Sequence, residues 1–348
     1  MVSVYAIIMA GGRGERFWPL STEKNPKPFV PLVSATSLIE ETVGRLQALV
    51  PLDRIFVSIG EGHLQVAHER LPKVPARNFI VEPAGRDTSA CLGFCALHIE
   101  RLDEDAIMLA LPADHYISEP AKFQRALETG IRNLPGATGI VFGIVPDRPD
   151  PGYGYVRAEK PALPADAWPV VRFVEKPSVE KAAEYLRSGQ YFWNSGIFLW
   201  QNRTLLELFR KHMPETSRRL DLLRPLLGRE EARSEVSRIF SGMERISIDF
   251  GFLEKTSGLR LVPGEFAWDD IGNWASLARA LPVDAHGNVV RGHHISLDST
   301  GCVVYSDSGV VATLGVSDLV IAHANGKVLV CSRDRAAELK RLVSLLPL

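Results

Sequence analysis

The sequence predicts an α/β protein in which a mostly parallel, mixed sheet is flanked by helices and followed by a small β-rich domain. Two observations on the 348-residue chain predict this class. Strand-like apolar runs alternate with helix-like segments through the first half, an order typical of parallel strands joined by crossover helices. From about Val283 the chain changes to short Val-rich runs separated by Gly, Asn, Asp and Ser, which indicates short strands and tight turns. We therefore expect one domain at 1–282 and a second at 283–348.

The first half of the chain supplies the elements of the sheet in order. The apolar run Val4–Met9 leads into Ala10, Gly11 and Gly12, which predicts a buried strand followed by a glycine loop. Ser37 and Glu40 form a capping box that begins a helix. The other predicted elements are strands at Arg54–Ile59, Phe79–Val81, Ala106–Leu111 and Gly139–Ile144 and helices near His63–Leu71, Thr88–Arg101 and Pro120–Asn133. This order predicts a Rossmann-like sheet that binds its ligand beyond the carboxyl ends of the strands.

In the second half of the chain, strands and helices alternate less regularly than in the first. Its predicted strands are Val170–Glu175, Ile197–Trp200, Gly301–Val304, Val310–Leu314, Leu319–Ala322 and Val328–Cys331. Its predicted helices are Val179–Arg187, several within Asn202–Ile239, and a closing helix at Asp334–Leu345. Short strands at this spacing indicate a compact β-rich unit at the end of the chain.

Composition and charge narrow the class of partner. The chain has 40 Lys and Arg against 41 Asp and Glu, so no global positive field favours nucleic acid or an anionic membrane. No signal-peptide pattern begins the chain, and no apolar run reaches the roughly 18 residues that a spanning helix needs. Cys91 and Cys95 form no CxxC pair and are interpreted as reduced core thiols. We expect a soluble, cytoplasmic protein with no nucleic-acid or membrane partner.

A basic, glycine-rich segment follows the first strand. It contains Gly14 beside Arg13 and Arg16, and Lys27 follows between two prolines. Glycines let backbone N–H groups approach phosphate oxygens, and the cations add charge suited to a polyphosphate. Phe17 stands where a Rossmann dinucleotide fingerprint needs its third glycine, and the Gly-Lys-Ser/Thr of a Walker loop is absent. The segment therefore predicts phosphate binding but not a NAD-dependent oxidoreductase.

The segment GGRGERFWPLS with the following NPKP resembles the signature of the sugar-phosphate nucleotidyltransferases, which have a glycosyltransferase-A-like fold. Later motifs resemble the mannose-1-phosphate guanylyltransferase branch of this family. They are EPAGRDT from Glu82, LPADH from Leu111, FVEKP from Phe173, WNSGIF from Trp193, SID from Ser247 and FAWDDIGNW from Phe266. The resemblance implies GMP transfer from GTP to α-D-mannose 1-phosphate, giving GDP-mannose and pyrophosphate by direct in-line displacement. It also implies Mg²⁺, a homodimer, and a C-terminal domain like a short left-handed β-helix.

The resemblance also implies roles for individual residues. The expected catalytic residues are Arg16, Lys27, Asp114, Lys176 and Asp270, with Asp114 and Asp270 as the Mg²⁺ ligands. The expected nucleotide-binding residues are Ala10, Gly11, Gly12, Arg13, Gly14, Glu82, Gly85 and Asp87, and the sugar-phosphate-binding residues are Gly154, Glu175, Lys176 and Asn194. Guanine presents N–H donors, so the carboxylates of Glu82 and Asp87 are candidate acceptors. Asp269 is the less favoured metal ligand, and Asp249 is interpreted as a helix cap.

Two other functions remain open at this point. The chain could transfer a different nucleotide or act on a different sugar phosphate, such as glucose 1-phosphate. It could also be a non-catalytic homologue that senses GDP-mannose. The second alternative is disfavoured because a sensor could dispense with Arg16, Lys27, Asp114 and Asp270, which are all present.

Overall fold

The structure is a computed structural model that describes residues 3–12 and 14–346. Within these residues the strands are β1 (Val4–Met9), β2 (Ile55–Gly60), β3 (Phe79–Glu82), β4 (Ile107–Pro112), β5 (Tyr116–Ile117), β6 (Gly139–Ile144), β7 (Tyr155–Ala158), β8 (Trp168–Val174), β9 (Tyr191–Gln201), β10 (Leu259–Gly264), β11 (Trp268–Asp269), β12 (Val289–Leu297), β13 (Val303–Leu314), β14 (Leu319–Ala324) and β15 (Lys327–Ser332). The helices are α1 (Leu38–Leu46), α2 (Leu64–Arg70), α3 (Asp87–Glu100), α4 (Pro120–Asn133), α5 (Val179–Ser188), α6 (Asn202–His212), α7 (Pro214–Leu223), α8 (Arg233–Ser241), α9 (Ile248–Gly251), α10 (Leu277–Ala280) and α11 (Leu339–Val343). None of them is long and apolar enough to cross a membrane.

The main sheet is mixed, with its parallel part at one edge. The strand order is β3-β2-β1-β4-β9-β6-β10-β8-β7. Strands β1 to β4 run parallel, and β6 and β10 run parallel to each other. Strand β9 runs antiparallel to both β4 and β6 and joins these two parallel groups. The predicted α/β sheet is confirmed, and the carboxyl ends of β1 and β4 lie side by side.

Helices cover both faces of this sheet. On one face α3 is buried nearly all round, and it packs against α6 and α7 over Phe94, Cys95 and Phe209. On the other face α1 and α4 cover β1 and β6. The capping box at the start of α1 is present, because the Ser37 N–H donates to Glu40 Oε2 at 2.8 Å. The thiols of Cys91 and Cys95 are free and buried, as predicted.

The C-terminal part forms a coil of strands. Strands β12, β13 and β14 are parallel, with Val289 opposite Val303 and Val303 opposite Val320, and β15 returns antiparallel to β14. Parallel neighbours usually need a crossover of a dozen or more residues, whereas here only residues 298–302 and 315–318 connect them. The strands must therefore bend, and β12 is irregular between Arg291 and His293. This is the β-helix-like arrangement that the family resemblance implies.

Several predicted bounds in this region are wrong. The two predicted strands Gly301–Val304 and Val310–Leu314 are one strand, β13, which bends at Gly309 (φ 70°) without ending. Strand β12 was not predicted, because its largely exposed residues carry no apolar alternation. The predicted closing helix is a 3-10 segment at Arg333–Glu338 followed by the short α11. In each case packing of the coil, rather than local pattern, decides the element.

The glycine-rich segment packs mainly against the C-terminal coil. Phe17 lies in one hydrophobic core with Val303 and Val320 of the coil. Its ring meets that of Trp274 edge to face, with centroids 5.4 Å apart. Asn325, in the turn between β14 and β15, donates from Nδ2 to the carbonyl oxygens of Pro19 and Leu20 at 2.9 and 3.2 Å. The two predicted domains thus share a core through this segment.

Candidate active site

A cleft of about 1060 Å³ opens at the carboxyl ends of β1 and β4. Its wall includes these predicted site residues: Gly11, Gly12, Gly14, Arg16, Lys27, Gly85, Asp114 and Asp270. They come from loops that are far apart in the chain and meet because parallel strands end at one edge of a sheet. Arg13 lies outside the described residues.

Gly14 and Lys27 touch in a way that only glycine permits. Gly14 has φ 61°, and a Cβ atom added to it would lie 2.6 Å from Lys27 Cβ. A larger residue would have to push the lysine away and would be strained in this left-handed conformation. The glycine thereby fixes the lysine against the loop.

Lys27 joins the two predicted metal ligands. Its Nζ donates to Asp114 Oδ2 at 2.9 Å and to the main-chain oxygen of Asp270 at 2.6 Å, and the lysine is only 6% exposed. Burial raises the pKa of the Asp114 carboxyl, but the Lys27 ammonium, helped by His115 and a main-chain hydrogen bond, outweighs burial, and the net pKa is lowered. Asp114 is therefore ionised at neutral pH, as a metal ligand must be.

The two aspartates at the end of β11 have different tasks. Asp269 is buried between Arg279, whose Nη2 donates to Oδ1 at 2.9 Å, and Arg148, at 3.3 Å from Oδ2. Asp270 instead faces the cleft and accepts from Tyr153 Oη at Oδ1, 2.9 Å away. Ile271 follows with φ 40°, a strained value for a β-branched residue. Because the paired Asp269 anchors this turn, Asp270 is the aspartate left to bind a ligand.

Tyr153 leads directly to a second polar cluster beside the first. The next residue is Gly154, where an added Cβ would lie 2.3 Å from Glu175 Oε2. Asn194 also lies against Gly154, and its Nδ2 donates to Asp249 Oδ1 at 2.8 Å. The structure thus brings together the predicted sugar-phosphate residues Gly154, Glu175 and Asn194.

The carboxylates of this second cluster can accept further hydrogen bonds. Glu175 Oε1 accepts from Lys176 Nζ, whereas its Oε2 is buried with no hydrogen-bond partner among the described residues. Burial, and after it the negative charge of Glu175, raises the pKa of Asp249 to about 6. A buried carboxylate oxygen without a donor is costly, which points to a ligand hydroxyl or cation as its missing partner.

The residues predicted to contact the base are only partly brought into the cleft. Gly85 lies on the wall, but Glu82 Oε1 accepts from Ser58 Oγ at 2.9 Å, and burial raises the pKa of Glu82. Asp87 has φ 66° and accepts at Oδ1 from the Thr88 N–H at 2.8 Å. Ala10 is buried at the end of β1. The carboxylates of Glu82 and Asp87 are thus engaged with the protein itself.

Sequence reasoning missed several residues of the site. The predicted helix cap at Asp249 is wrong, because Ser247 is the N-cap of α9 and Asp249 turns to Asn194. Arg245 and Lys340 lie on the wall of the cleft but belong to no motif that sequence analysis singled out. Their positions depend on packing between distant segments, so no local pattern could have found them.

His115 lines the cleft as a neutral ring. Its Nδ1 accepts from Trp268 Nε1 at 3.1 Å, and an indole N–H can only donate. Burial lowers the pKa of His115, although the neighbouring Asp114 opposes that effect. We therefore assign the proton to Nε2.

The donor set at the centre of the cleft suits a hard divalent cation. Asp114 and Asp270 supply carboxylate oxygens, and the described residues contain no cluster of three or more His, Cys, Asp or Glu that could enclose a metal. Mg²⁺ commonly uses one or two protein carboxylates and completes its shell with water and substrate phosphate. The residues present therefore fit Mg²⁺, whereas a zinc or calcium cage needs more protein ligands.

Taken with the sheet, a site of this kind defines an α/β enzyme that handles phosphates. The chain matches the family model described as nucleotidyl transferase over residues 5–286 and that described as MannoseP isomerase/GMP-like beta-helix domain over 292–346. It is 34% identical to the mannose-1-phosphate guanylyltransferase of Escherichia coli K12 over 98% of this chain and 73% of that protein. It is 35% identical to the xanthan biosynthesis protein XanB of Xanthomonas campestris, over 99% of this chain and 73% of XanB.

A solved structure extends the similarity to three dimensions. The chain superposes with a TM-score of 0.90 on the Thermus thermophilus protein described as a mannose-1-phosphate geranyltransferase, with 41% identity over 99% of both chains. This chain therefore belongs to the nucleotidyl transferase family, in the group of the mannose-1-phosphate guanylyltransferases. It is an enzyme of sugar-phosphate nucleotidyl transfer.

Proposed function

We propose that the chain transfers GMP from GTP to α-D-mannose 1-phosphate and releases GDP-mannose and pyrophosphate. The single observation that carries the proposal is the junction of two clusters through Tyr153 and Gly154. One cluster, around Lys27, suits a triphosphate and a cation, and the other, around Glu175, suits a sugar phosphate. The names of the relatives support GTP and mannose 1-phosphate as the substrates.

The reaction needs no protein nucleophile. A phosphate oxygen of the sugar phosphate forms a bond to the α-phosphorus of GTP, and the bond from that phosphorus to the bridging oxygen breaks. The electron pair leaves with pyrophosphate. A phosphate monoester dianion is itself a competent nucleophile, so the protein contributes positioning and charge stabilisation.

The cations of the cleft counter the charge of the two substrates. Arg16, with Arg13 and the backbone N–H groups of Gly11–Gly14, holds the β- and γ-phosphates. Lys27 contacts both Asp114 and Asp270, the proposed Mg²⁺ ligands. We therefore assign it to the α-phosphate, where the reaction takes place. Lys176 follows Glu175 directly and binds the phosphate of the sugar.

Asp114 and Asp270 would hold the Mg²⁺ ion of this reaction. When bound, Mg²⁺ neutralises phosphate charge and helps to align the two reacting phosphates. Lys27 keeps Asp114 ionised for this purpose, and Tyr153 fixes Asp270 by donating to one of its oxygens. The other oxygen, Oδ2, is left for the ion.

Recognition of sugar and base is assigned to the two ends of the cleft. Glu175 Oε2, which has no partner among the described residues, accepts from a sugar hydroxyl, with Asn194 and Gly154 alongside. At the other end Gly85 lets the backbone approach the guanine, and Glu82 and Asp87 remain the candidate acceptors. Each carboxylate accepts one side-chain or main-chain hydrogen bond at one oxygen, and a carboxylate can accept several, so both keep acceptor capacity for the base.

At the level of the molecule, we propose a catalytic domain at 1–282, a β-helix-like domain at 283–348 and a cytoplasmic homodimer. The first test of the function is pyrophosphate release with Mg²⁺ from GTP, ATP, UTP or dTTP paired with mannose 1-phosphate or glucose 1-phosphate. Release chiefly from GTP and mannose 1-phosphate supports the proposal. Release from another pair would overturn the assignment of base or sugar. GDP-mannose binding without release from any pair would indicate a sensor.

A metal titration tests the two ligands separately. Asp114→Asn and Asp270→Asn each remove one negative charge without changing side-chain shape, so we expect either to shift the Mg²⁺ dependence to higher concentration or to abolish turnover. Asp166→Asn, at an exposed aspartate away from the cleft, is the matched control. An unchanged Mg²⁺ titration in either cleft variant would rule out that residue as a ligand.

A further inference from the structure

The last helix of the chain lies beside the glycine-rich segment. Leu339 of α11 is buried in the same hydrophobic core as Phe17, so the helix is held against that segment. This packing places Lys340, from the β-rich domain, on the wall of the main cleft together with Gly14 and Arg16. The second domain therefore supplies a cation to the cleft.

Lys340 is held near the cleft by a weak contact. Its Nζ lies 3.4 Å from Glu15 Oε2, and its side chain is 74% exposed. Exposed ion pairs of this kind contribute little to stability, so a bound polyanion can replace Glu15 as the partner of the ammonium at little cost. Glu15 follows Gly14 directly, at the part of the loop where the proposed function places the β- and γ-phosphates.

Of the other cations on the wall, only Arg16 is assigned to the β- and γ-phosphates by the proposed function. Lys27 uses two of its three N–H donors on Asp114 and Asp270, so one is left for phosphate. Arg245 precedes a segment that pairs with the start of α3, where the Ile248 N–H donates to Thr88 Oγ1 at 2.8 Å. Arg245 is thus on the side of the predicted base contacts.

We propose that Lys340 binds the β- and γ-phosphates of the nucleoside triphosphate and the pyrophosphate that leaves. This inference rests on the proposed function for the position of the phosphates. The β-rich domain is then part of the catalytic site and does more than support the loop. Substrates without these phosphates gain nothing from Lys340.

The test compares ligands that differ in those phosphates. Binding of GTP, GMP and pyrophosphate, each with Mg²⁺, is measured by calorimetry on the full chain and on Lys340→Ala. We expect GTP and pyrophosphate to bind about 5–10-fold more weakly, because one charge-assisted contact is lost, and GMP to bind as before. Lys340→Arg should restore most of the affinity. Arg341→Ala is the matched control, because Arg341 is the next cation on α11 and pairs with Glu338 away from the cleft wall.

Each other outcome is decisive. Unchanged binding of GTP and pyrophosphate to Lys340→Ala would overturn the inference. An equal loss for GMP would also overturn it, because the variant would then have loosened the whole loop. If the wild-type chain binds GTP but releases no pyrophosphate with any sugar phosphate, the proposed function fails while the comparison of ligands still decides the role of Lys340. If the wild type binds neither GTP nor pyrophosphate, both fail.

Discussion

At the scale of single residues, Lys27 has two tasks that one variant can separate. Its ammonium contacts Asp114 and, in the proposed function, binds phosphate, whereas its stem is buried. Lys27→Met keeps the stem and removes the charge. We expect turnover to slow by about 100-fold or more, because a charge contact in the transition state is lost. Steady-state kinetics check this, with the exposed Lys24→Met as control. Near-wild-type turnover would contradict the assignment.

The same variant changes how stability depends on pH. In the wild type the pKa of Asp114 is lowered, so its contribution to the free energy of unfolding is present above its ordinary pKa and lost as pH falls through the folded value. Without Lys27, burial is opposed only by the weaker effects of His115 and the main chain, and the pKa of Asp114 rises. The destabilisation of Lys27→Met should therefore be largest near pH 7 and shrink toward pH 4. Urea unfolding at several pH values measures it.

At Asp249 we expect stability to depend on pH in the opposite direction. Its folded pKa is raised to about 6, so its favourable contribution is complete at low pH and is lost as pH rises from about 4 to about 6. Asp249→Asn keeps an acceptor for Asn194 and removes the repulsion from Glu175. We expect the variant to be more stable than the wild type by about 1–3 kcal/mol at pH 7–8, but not at pH 4. Urea unfolding across this range is the measurement. A stability difference that does not vary with pH, or one matched by the exposed Asp166→Asn, would show the reasoning to be wrong.

At the scale of elements, the glycine loop is defined by close contact between two segments. Gly14→Ala places a methyl group against Lys27 and strains a residue at φ 61°. We expect a loss of about 1–3 kcal/mol in the free energy of unfolding and turnover slower by about 10-fold or more, because the ammonium is displaced. Kinetics and thermal unfolding test this together.

Gly44 provides the control for that experiment. It is exposed within α1, and an added Cβ meets no atom within 4 Å. Gly44→Ala should stabilise the chain by about 0.5–1 kcal/mol, since alanine is the better helix former, and leave activity unchanged. If both alanine variants behaved alike, contact with Lys27 would not be the reason for glycine at position 14.

At the scale of the whole molecule, the two parts of the chain depend on each other through Asn325. It has φ 52° and donates to Pro19 and Leu20, so Asn325→Gly keeps the backbone but removes both hydrogen bonds. We expect stability to fall by about 1–2 kcal/mol and KM for the nucleotide to rise, because the glycine-rich segment loses an anchor. The matched control is Asp298→Gly, because Asp298 has φ 53° in another turn of the same coil. An equal effect of both changes would mean that the turn, and not the anchor, matters.

Much of the fold could be predicted from sequence because its signals are local. Val4–Met9 and Pro120–Asn133 have the predicted bounds, and the capping box at Ser37 begins its helix as expected. Apolar periodicity and capping act over a few residues, so they can be recognised without the rest of the molecule. The coil was less predictable, since β12 is exposed and is held by its neighbour β13.

By itself the sequence determined the class of protein and supplied the residues proposed for its site. Glycines, cations and carboxylates in ordered motifs were enough to predict a phosphate-handling enzyme and its central residues Lys27, Asp114 and Asp270. Only the tertiary structure decided which groups meet. It paired Asp269 with arginines and left Asp270 to the cleft, turned Asp249 toward Asn194, and brought Lys340 beside the glycine loop. These contacts join segments up to hundreds of residues apart. The order of the strands in the sheet and the packing of the shared core bring these segments together, and no local pattern encodes either.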